Sequence, residues 1–217
     1  MNKKILAMLA VLVVGAAPAV SMADTSANVG WISDYLFRGI YQADSSASAG
    51  LDWSGKGGAY LGTWGANVGS GLEVDLYGGY SGGSGDFSWK GGYQGYFYTD
   101  TFDNYYNEAN GNISYGIFSL DLAVGKYEVP GNTQNYTFGA ITLSPKKSPY
   151  FKIGGFGQDF SGSYFEMGYG FTVSGLDVSV AMIYSNDLTV TNPAEGESGR
   201  YALTVGFTKT IDLGGKK

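Results

Sequence analysis

From residue 24 to the C-terminus the sequence alternates apolar and polar residues with a period of two, almost without interruption. In GLEVDLYGGYSGG, residues 71–83, Leu72, Val74, Leu76 and Tyr80 fall on one phase, and Glu73, Asp75, Tyr77 and Ser81 fall on the other. A strand built from this segment has one oily and one wet face. No segment of the region is an apolar run of about 20 residues, and none carries a sustained stripe of period 3.6. Helical membrane spans and helical bundles are thereby excluded, and the chain reads as all-β.

The alternation recurs in about twelve runs bounded by clusters of Gly, Asn, Asp, Ser or Pro. Each run is predicted to span about 9 to 11 residues, the length a tilted strand needs to cross a bilayer. Connections after even-numbered strands are expected to be short, as at 54–58, 82–86 and 174–175. Several after odd-numbered strands are expected to be longer and polar, at 39–45, 100–104, 129–135 and 186–199. Short turns at one mouth and longer loops at the other are the asymmetry of outer-membrane barrels, and they set the N-terminus on the periplasmic side. The aromatic pairs Tyr80 and Phe87, Tyr127 and Tyr136, and Tyr184 and Tyr201 bracket connections, as interfacial girdles would. The expected fold is a transmembrane antiparallel up-and-down β-barrel of about 12 strands, its oily phase against lipid and its wet phase around a lumen.

The first residues specify export. In MNKKILAMLAVLVVGAAPAVSMA, Lys3 and Lys4 precede an apolar run that breaks at Pro18, and Ser21-Met22-Ala23 forms a cleavable small-x-small site. Residues 1–23 are therefore expected to be a signal peptide and residues 24–217 the barrel, placed in the outer membrane of a Gram-negative bacterium. The chain has no cysteine and no histidine, which removes disulfides, thiolate metal sites and any Ser-His-carboxylate hydrolase. Losing Lys3 and Lys4 deepens the formal net charge of −6 by two, which argues against nucleic acid as a partner. The expected partners are outer-membrane lipids, the barrel assembly machinery, and small solutes or ions.

Val29, Gly30, Trp31, Ser33, Asp34, Tyr35, Phe37, Arg38, Gly39 and Gln42 form a V-G-W-x-S-D-Y-x-F-R-G-x-x-Q block. Tyr60, Gly62, Trp64 and Asn67 follow, and then Glu73, Asp75, Tyr77, Gly79 and Tyr80. In these blocks the first third of the mature chain resembles the opening of the TorF family of outer-membrane porins. The resemblance implies an outer-membrane porin. The chain departs from the usual barrel ending, because it runs past Phe207 to Lys217 and does not finish on an aromatic residue; Ile211 and Leu213 keep the outward phase.

The wet phase carries Asp52, Glu73, Asp75, Glu108, Asp121, Glu166 and Asp177 against Lys90 and Lys152, and these residues with Tyr77 are the expected pore lining. Excess carboxylates in a lumen concentrate cations, so the expected function is passive diffusion of small hydrophilic solutes or ions with mild cation preference. The alternatives are a closed barrel filled by salt bridges and tyrosines, with a structural or surface-binding role, and a secreted soluble β-domain. Arg38, in Phe37-Arg38-Gly39, is expected at the outer rim rather than in a constriction with Asp34. Glu73 and Asp75 share a face as an acid/base pair would, but so do any two residues two apart on a wet strand. GGYQG and GGFGQD lack the Lys and Ser/Thr of a phosphate loop. Asp187, Glu195 and Glu197 read as a solvated acidic loop rather than a calcium site. No enzyme activity, catalytic residue, cofactor or metal site is expected.

Overall fold

The structure is a computed structural model and describes residues 24–146, 149–189 and 199–214. Twelve strands follow one another as β1 (Asp24–Phe37), β2 (Ile40–Ser54), β3 (Ala59–Val68), β4 (Gly71–Ser84), β5 (Phe87–Tyr98) and β6 (Tyr105–Tyr115). The chain continues with β7 (Phe118–Val129), β8 (Asn132–Leu143), β9 (Tyr150–Gln158), β10 (Ser161–Val173), β11 (Leu176–Thr189) and β12 (Arg200–Asp212). Each pairs antiparallel with its sequence neighbours, and β12 returns to β1, so the sheet is a closed barrel. The closing seam runs from Ser26 opposite Asp212 to Ile32 opposite Gly206. The predicted signal peptide lies outside the described residues, as does nearly all of the connection between β11 and β12.

Two faces follow from the period of two. In β4, Leu72, Val74 and Leu76 are exposed, whereas Glu73 and Asp75 are buried inside the barrel. The same phase holds along β7, where Phe118, Leu120, Leu122 and Val124 face out. In β3 the outward residue is Leu61, and Tyr60, Trp64 and Ala66 turn inward. This continuous apolar exterior is far beyond what a soluble protein tolerates and fits a hydrocarbon surround. Tyr80, Phe87 and Tyr201 lie on that exterior near the barrel ends, but Tyr127 and Tyr136, expected in a girdle, point into the lumen.

Two further expectations are corrected. The strands run from 9 to 15 residues rather than 9 to 11. Segments 39–45 and 129–135, expected to be long loops, lie almost wholly within strands. The physical reason is turn chemistry. Arg38 and Gly39 have φ of 51° and 83°, the doubly positive pattern of a type I′ hairpin turn, and Pro130-Gly131 closes β7–β8 with Gly131 at 81°. Two-residue turns let the ladder continue to its tip. At the other end of the chain, β12 carries on past Phe207, with Ile211 opposite Ala27, so residues 208–212 of the non-aromatic extension are part of the wall.

The register fixes a sharp contrast between neighbouring positions. Leu76 faces out at 53% exposure, and Tyr77 faces in, its hydroxyl donating to Asp52. Leu76→Arg is expected to cost roughly 2 to 4 kcal/mol by placing a charge in hydrocarbon. Tyr77→Arg meets the Asp52 carboxylate and is expected to cost far less. Urea midpoints of the two refolded variants in lipid vesicles check the order; equal damage would show that the faces are misassigned.

Candidate functional site: a lumen closed by the first hairpin

β1 pairs with β12 only as far as Ile32, and β2 pairs with β3 only from Ser48. Between those points, residues 33–47 form ladder pairs only within the β1–β2 hairpin, and the hairpin leaves the wall for the lumen. A register shift at Tyr35/Leu36 accompanies the departure, as expected of a bulge that bends a strand. Side chains clasp the two exits. Ser33 Oγ accepts from the Val205 amide at 3.0 Å, and the Ala47 amide donates to Asn67 Oδ1 at 2.6 Å. Ser46 Oγ donates to the Asn67 carbonyl at 2.7 Å.

Inside, the hairpin packs on the far wall. Leu36 is buried among Ala123, Phe138, Ala140, Tyr164 and Ile183, and Ile40 among Tyr127, Tyr136 and Phe160. At the tip, Ser185 Oγ donates to the Gly39 carbonyl at 2.6 Å. A Cβ on Gly39 would stand 2.7 Å from Tyr164 Cβ. Together with its φ of 83°, that close approach requires glycine.

Arg38, expected at the outer rim, is instead the centre of this arrangement. Its Nη1 and Nη2 donate to the two Glu108 oxygens at 2.8 and 2.7 Å, a bidentate ion pair within the lumen. Tyr96 and Tyr136 hydroxyls donate to the same carboxylate at 3.0 and 2.9 Å, and Asn110 Nδ2 at 3.2 Å. The guanidinium also lies over the Phe138 ring, 4.2 Å from its centroid. The correction has a simple cause: a charge at a hairpin tip is stable wherever the tip finds its counter-charge, and Glu108 lies inside.

The other expected lining residues form local pairs around the hairpin. Tyr35 donates to Glu73 Oε1 at 3.0 Å, and Gln94 Nε2 to Asp75 Oδ2 at 3.0 Å; Asp75 is 0% exposed. Asp52 accepts from Tyr77 at 2.6 Å and Asn28 at 3.2 Å. Lys152 approaches Asp121 at 3.7 Å, and Asn112 donates to Asp121 at 2.7 Å. Lys90 sits over the Tyr60 ring at 4.0 Å, Tyr150 donates to Glu166, and Thr172 donates to Asp177. Asp34 accepts from Ser33 Oγ at 2.9 Å. Of the side chains of the acidic loop, Glu195 and Glu197 lie outside the described residues, and the Asp187 side chain does also.

Small chambers lie on either side of the tip among the described residues. One, of about 60 Å³, lies toward the termini among Lys90, Gln94, Asn112, Asp121, Lys152 and Glu166. The second, of about 30 Å³, is walled by Tyr98, Tyr106, Tyr136, Phe156 and Phe160 toward the opposite mouth. Phe37 and Tyr96 border both, so the hairpin tip divides the lumen. Each has room for only a few waters, a water needing about 10–15 Å³ of such volume. The aromatic residues of this divide were missed in the sequence; the available signal was Tyr and Phe on wet-phase positions, as at Tyr96 and Phe138.

An oily wall, a polar interior and a lumen narrowed from within define a porin-like transmembrane β-barrel. The chain belongs to the family described as bacterial protein of unknown function (Gcw_chp), whose model matches residues 16–181. No curated protein matches it. Among solved structures, it is similar to a chain from work on in-meso crystallization of membrane proteins, with TM-score 0.57 and 11% identity over 89% of this chain and 85% of that one. It is also similar to the NanC porin, with TM-score 0.52 and 9% identity over 86% of this chain and 100% of that one. At such identities the likeness is one of fold.

Removing Arg38 alone strands a buried carboxylate. Arg38→Met is expected to lose roughly 3 to 5 kcal/mol, and adding Glu108→Gln to recover a large part of it, because the amide oxygen accepts from one of Tyr96 and Tyr136 and its NH2 donates to the other's hydroxyl oxygen, with no unpaired charge. Urea midpoints of the two singles and the double in detergent give the coupling; additive losses would show that the pair does not hold the hairpin.

Proposed function

We propose that the protein is an outer-membrane channel for small hydrophilic solutes or ions, exported by residues 1–23, with the mouth nearest the termini in the periplasm. The observation that carries this reading is the carboxylate-rich interior, with Asp52, Glu73, Asp75, Glu108, Asp121, Glu166 and Asp177 on the inward phase of a closed barrel. Only Lys90, Lys152 and Arg38 oppose them among the residues discussed, so cations are favoured over anions. The resemblance to TorF porins and the fold likeness to the NanC porin agree with it.

Passage requires the β1–β2 tip to shift, since Arg38, Phe37 and Leu36 occupy the lumen at mid-height. The pore is therefore closed at rest, and freeing the Arg38–Glu108 pair opens it. The same filled lumen favours a second reading, a closed barrel with a structural or surface-binding role.

Planar-bilayer recording of the refolded protein separates the two. The wild type is expected to show brief, low-conductance openings that prefer potassium to chloride, and Arg38→Met with Glu108→Gln longer ones. Amide replacement of Asp52 and Asp121 is expected to shrink the cation preference. Silence from both the wild type and the double variant would sink the channel in favour of the closed barrel; anion preference would sink the lining assignment.

A further inference from the structure

We infer that the mouth opposite the termini carries a binding site for neutral carbohydrate, built by the loop 99–104 and the β7–β8 turn. A cavity of about 740 Å³ opens there, lined by Tyr98, Phe102, Asp103, Asn104, Asn132 and Gln134. Its size falls within the range of about 300 to 1,000 Å³ usual for small-molecule sites.

The loop is built, not slack. Asp100 and Thr101 both hold positive φ, 54° and 61°, a conformation that costs energy in non-glycine residues and is kept only when the surroundings enforce it. They are enforced by Thr99, whose amide donates to the Leu72 carbonyl at 2.9 Å and whose Oγ1 accepts from the Leu72 amide at 2.9 Å. The Phe102 amide then closes back on the Thr99 carbonyl at 3.3 Å. This fold-back sets Phe102 beside Tyr98, ring centroids 5.6 Å apart, and over Gly69, where a Cβ would stand 3.2 Å from the ring. Tyr98 and Phe102 are each only half-buried, so ring surface remains open to the cavity.

The polar lining selects the ligand class. Among the described residues no Lys or Arg borders the cavity, so none of them balances an anion. Asp103 is the single acid among the described lining residues, and its oxygens already accept from Tyr106 at 2.8 Å, Tyr127 at 2.7 Å and the Asn104 backbone amide at 2.7 Å. Three neutral donors in the wall thus occupy its lone pairs, which leaves it poorly placed to ligate a cation directly. The rest of the described lining is aromatic surface and Val129 beside the neutral amides of Asn132 and Gln134, the Asn104 amide, whose Nδ2 also donates to Tyr127 at 3.0 Å, and the hydroxyl of Thr101. Partly exposed ring surface suits the C–H faces of a sugar, and amides that both donate and accept suit its hydroxyls.

The test reads binding without reference to conduction, so it stands or falls apart from the channel. The full-length mature chain, refolded in detergent, is titrated by calorimetry with maltotriose, cellotriose and chitotriose, and folding of every variant is verified by its heat-dependent gel shift. At least one trisaccharide is expected to give a saturable heat. Phe102→Leu, which keeps bulk but loses the ring face, is expected to weaken that binding about tenfold, and Phe102→Tyr to leave it within about twofold. Lys56→Ala, at the opposite mouth, is expected to change nothing. Absence of saturable binding by all three sugars, full affinity in folded Phe102→Leu, or binding of choline in preference to every sugar would overturn the assignment.

Discussion

Within hydrocarbon every backbone N–H and C=O must be paired by the protein itself, and the β1–β12 seam is where this chain meets that demand. Without the pairing of Ser26–Ile32 against Gly206–Asp212 the sheet would present two bare edges to lipid. Closure explains why the period is two along nearly the whole chain, and why the oily phase faces outward rather than into a core. It also explains how the first hairpin can leave the wall. Residues 33–47 give up their lateral partners on the lumen side of the lipid boundary, where Ser33, Ser46 and Asn67 side chains take over at the exits.

The hairpin is held by chemistry that suits arginine and no other residue. A guanidinium offers two parallel N–H groups to one carboxylate while presenting a flat face to Phe138. Lysine would supply charge as a point and lose both the second bond and the stacking. Because Glu108 also receives Tyr96 and Tyr136 from β5 and β8, one carboxylate ties three regions of the wall to the tip. A buried pair of this kind is weak evidence for stability but sets geometry firmly, since each partner alone is an uncompensated charge.

Much of the fold was legible because alternation is a local property. Strand number, phase and the outward placement of Leu72, Val74 and Leu76 follow from reading two residues at a time. The fate of Phe37-Arg38-Gly39 was not, because a type I′ turn looks the same whether its tip meets solvent or lumen. The deciding partner, Glu108, is 70 residues away in sequence. Tyr127 and Tyr136 misled for a related reason. An aromatic residue near a turn suits a girdle or a filled interior equally well, and only the register, which pairs Gly125 with Tyr136 across β7–β8, shows the ring lying over a glycine inside.

The residues that carry the family resemblance gain a physical meaning from this arrangement. Tyr35, Arg38, Gly39 and Gln42 belong to the hairpin, and Trp64, Asn67 and Glu73 belong to the wall that receives it. Tyr35 donates to Glu73 and meets the Trp64 ring edge-on at 5.8 Å, Asn67 clasps the exit at Ala47, and the Gln42 carbonyl accepts from the Gly69 amide. A barrel wall by itself constrains only the phase of each position, so many apolar residues serve equally on its lipid face. A hairpin folded into a narrow lumen constrains identity, because volume, charge and backbone angle must all match at once. That difference accounts for a recognisable motif gathered in β1 to β4 of a chain whose remaining strands show only their rhythm.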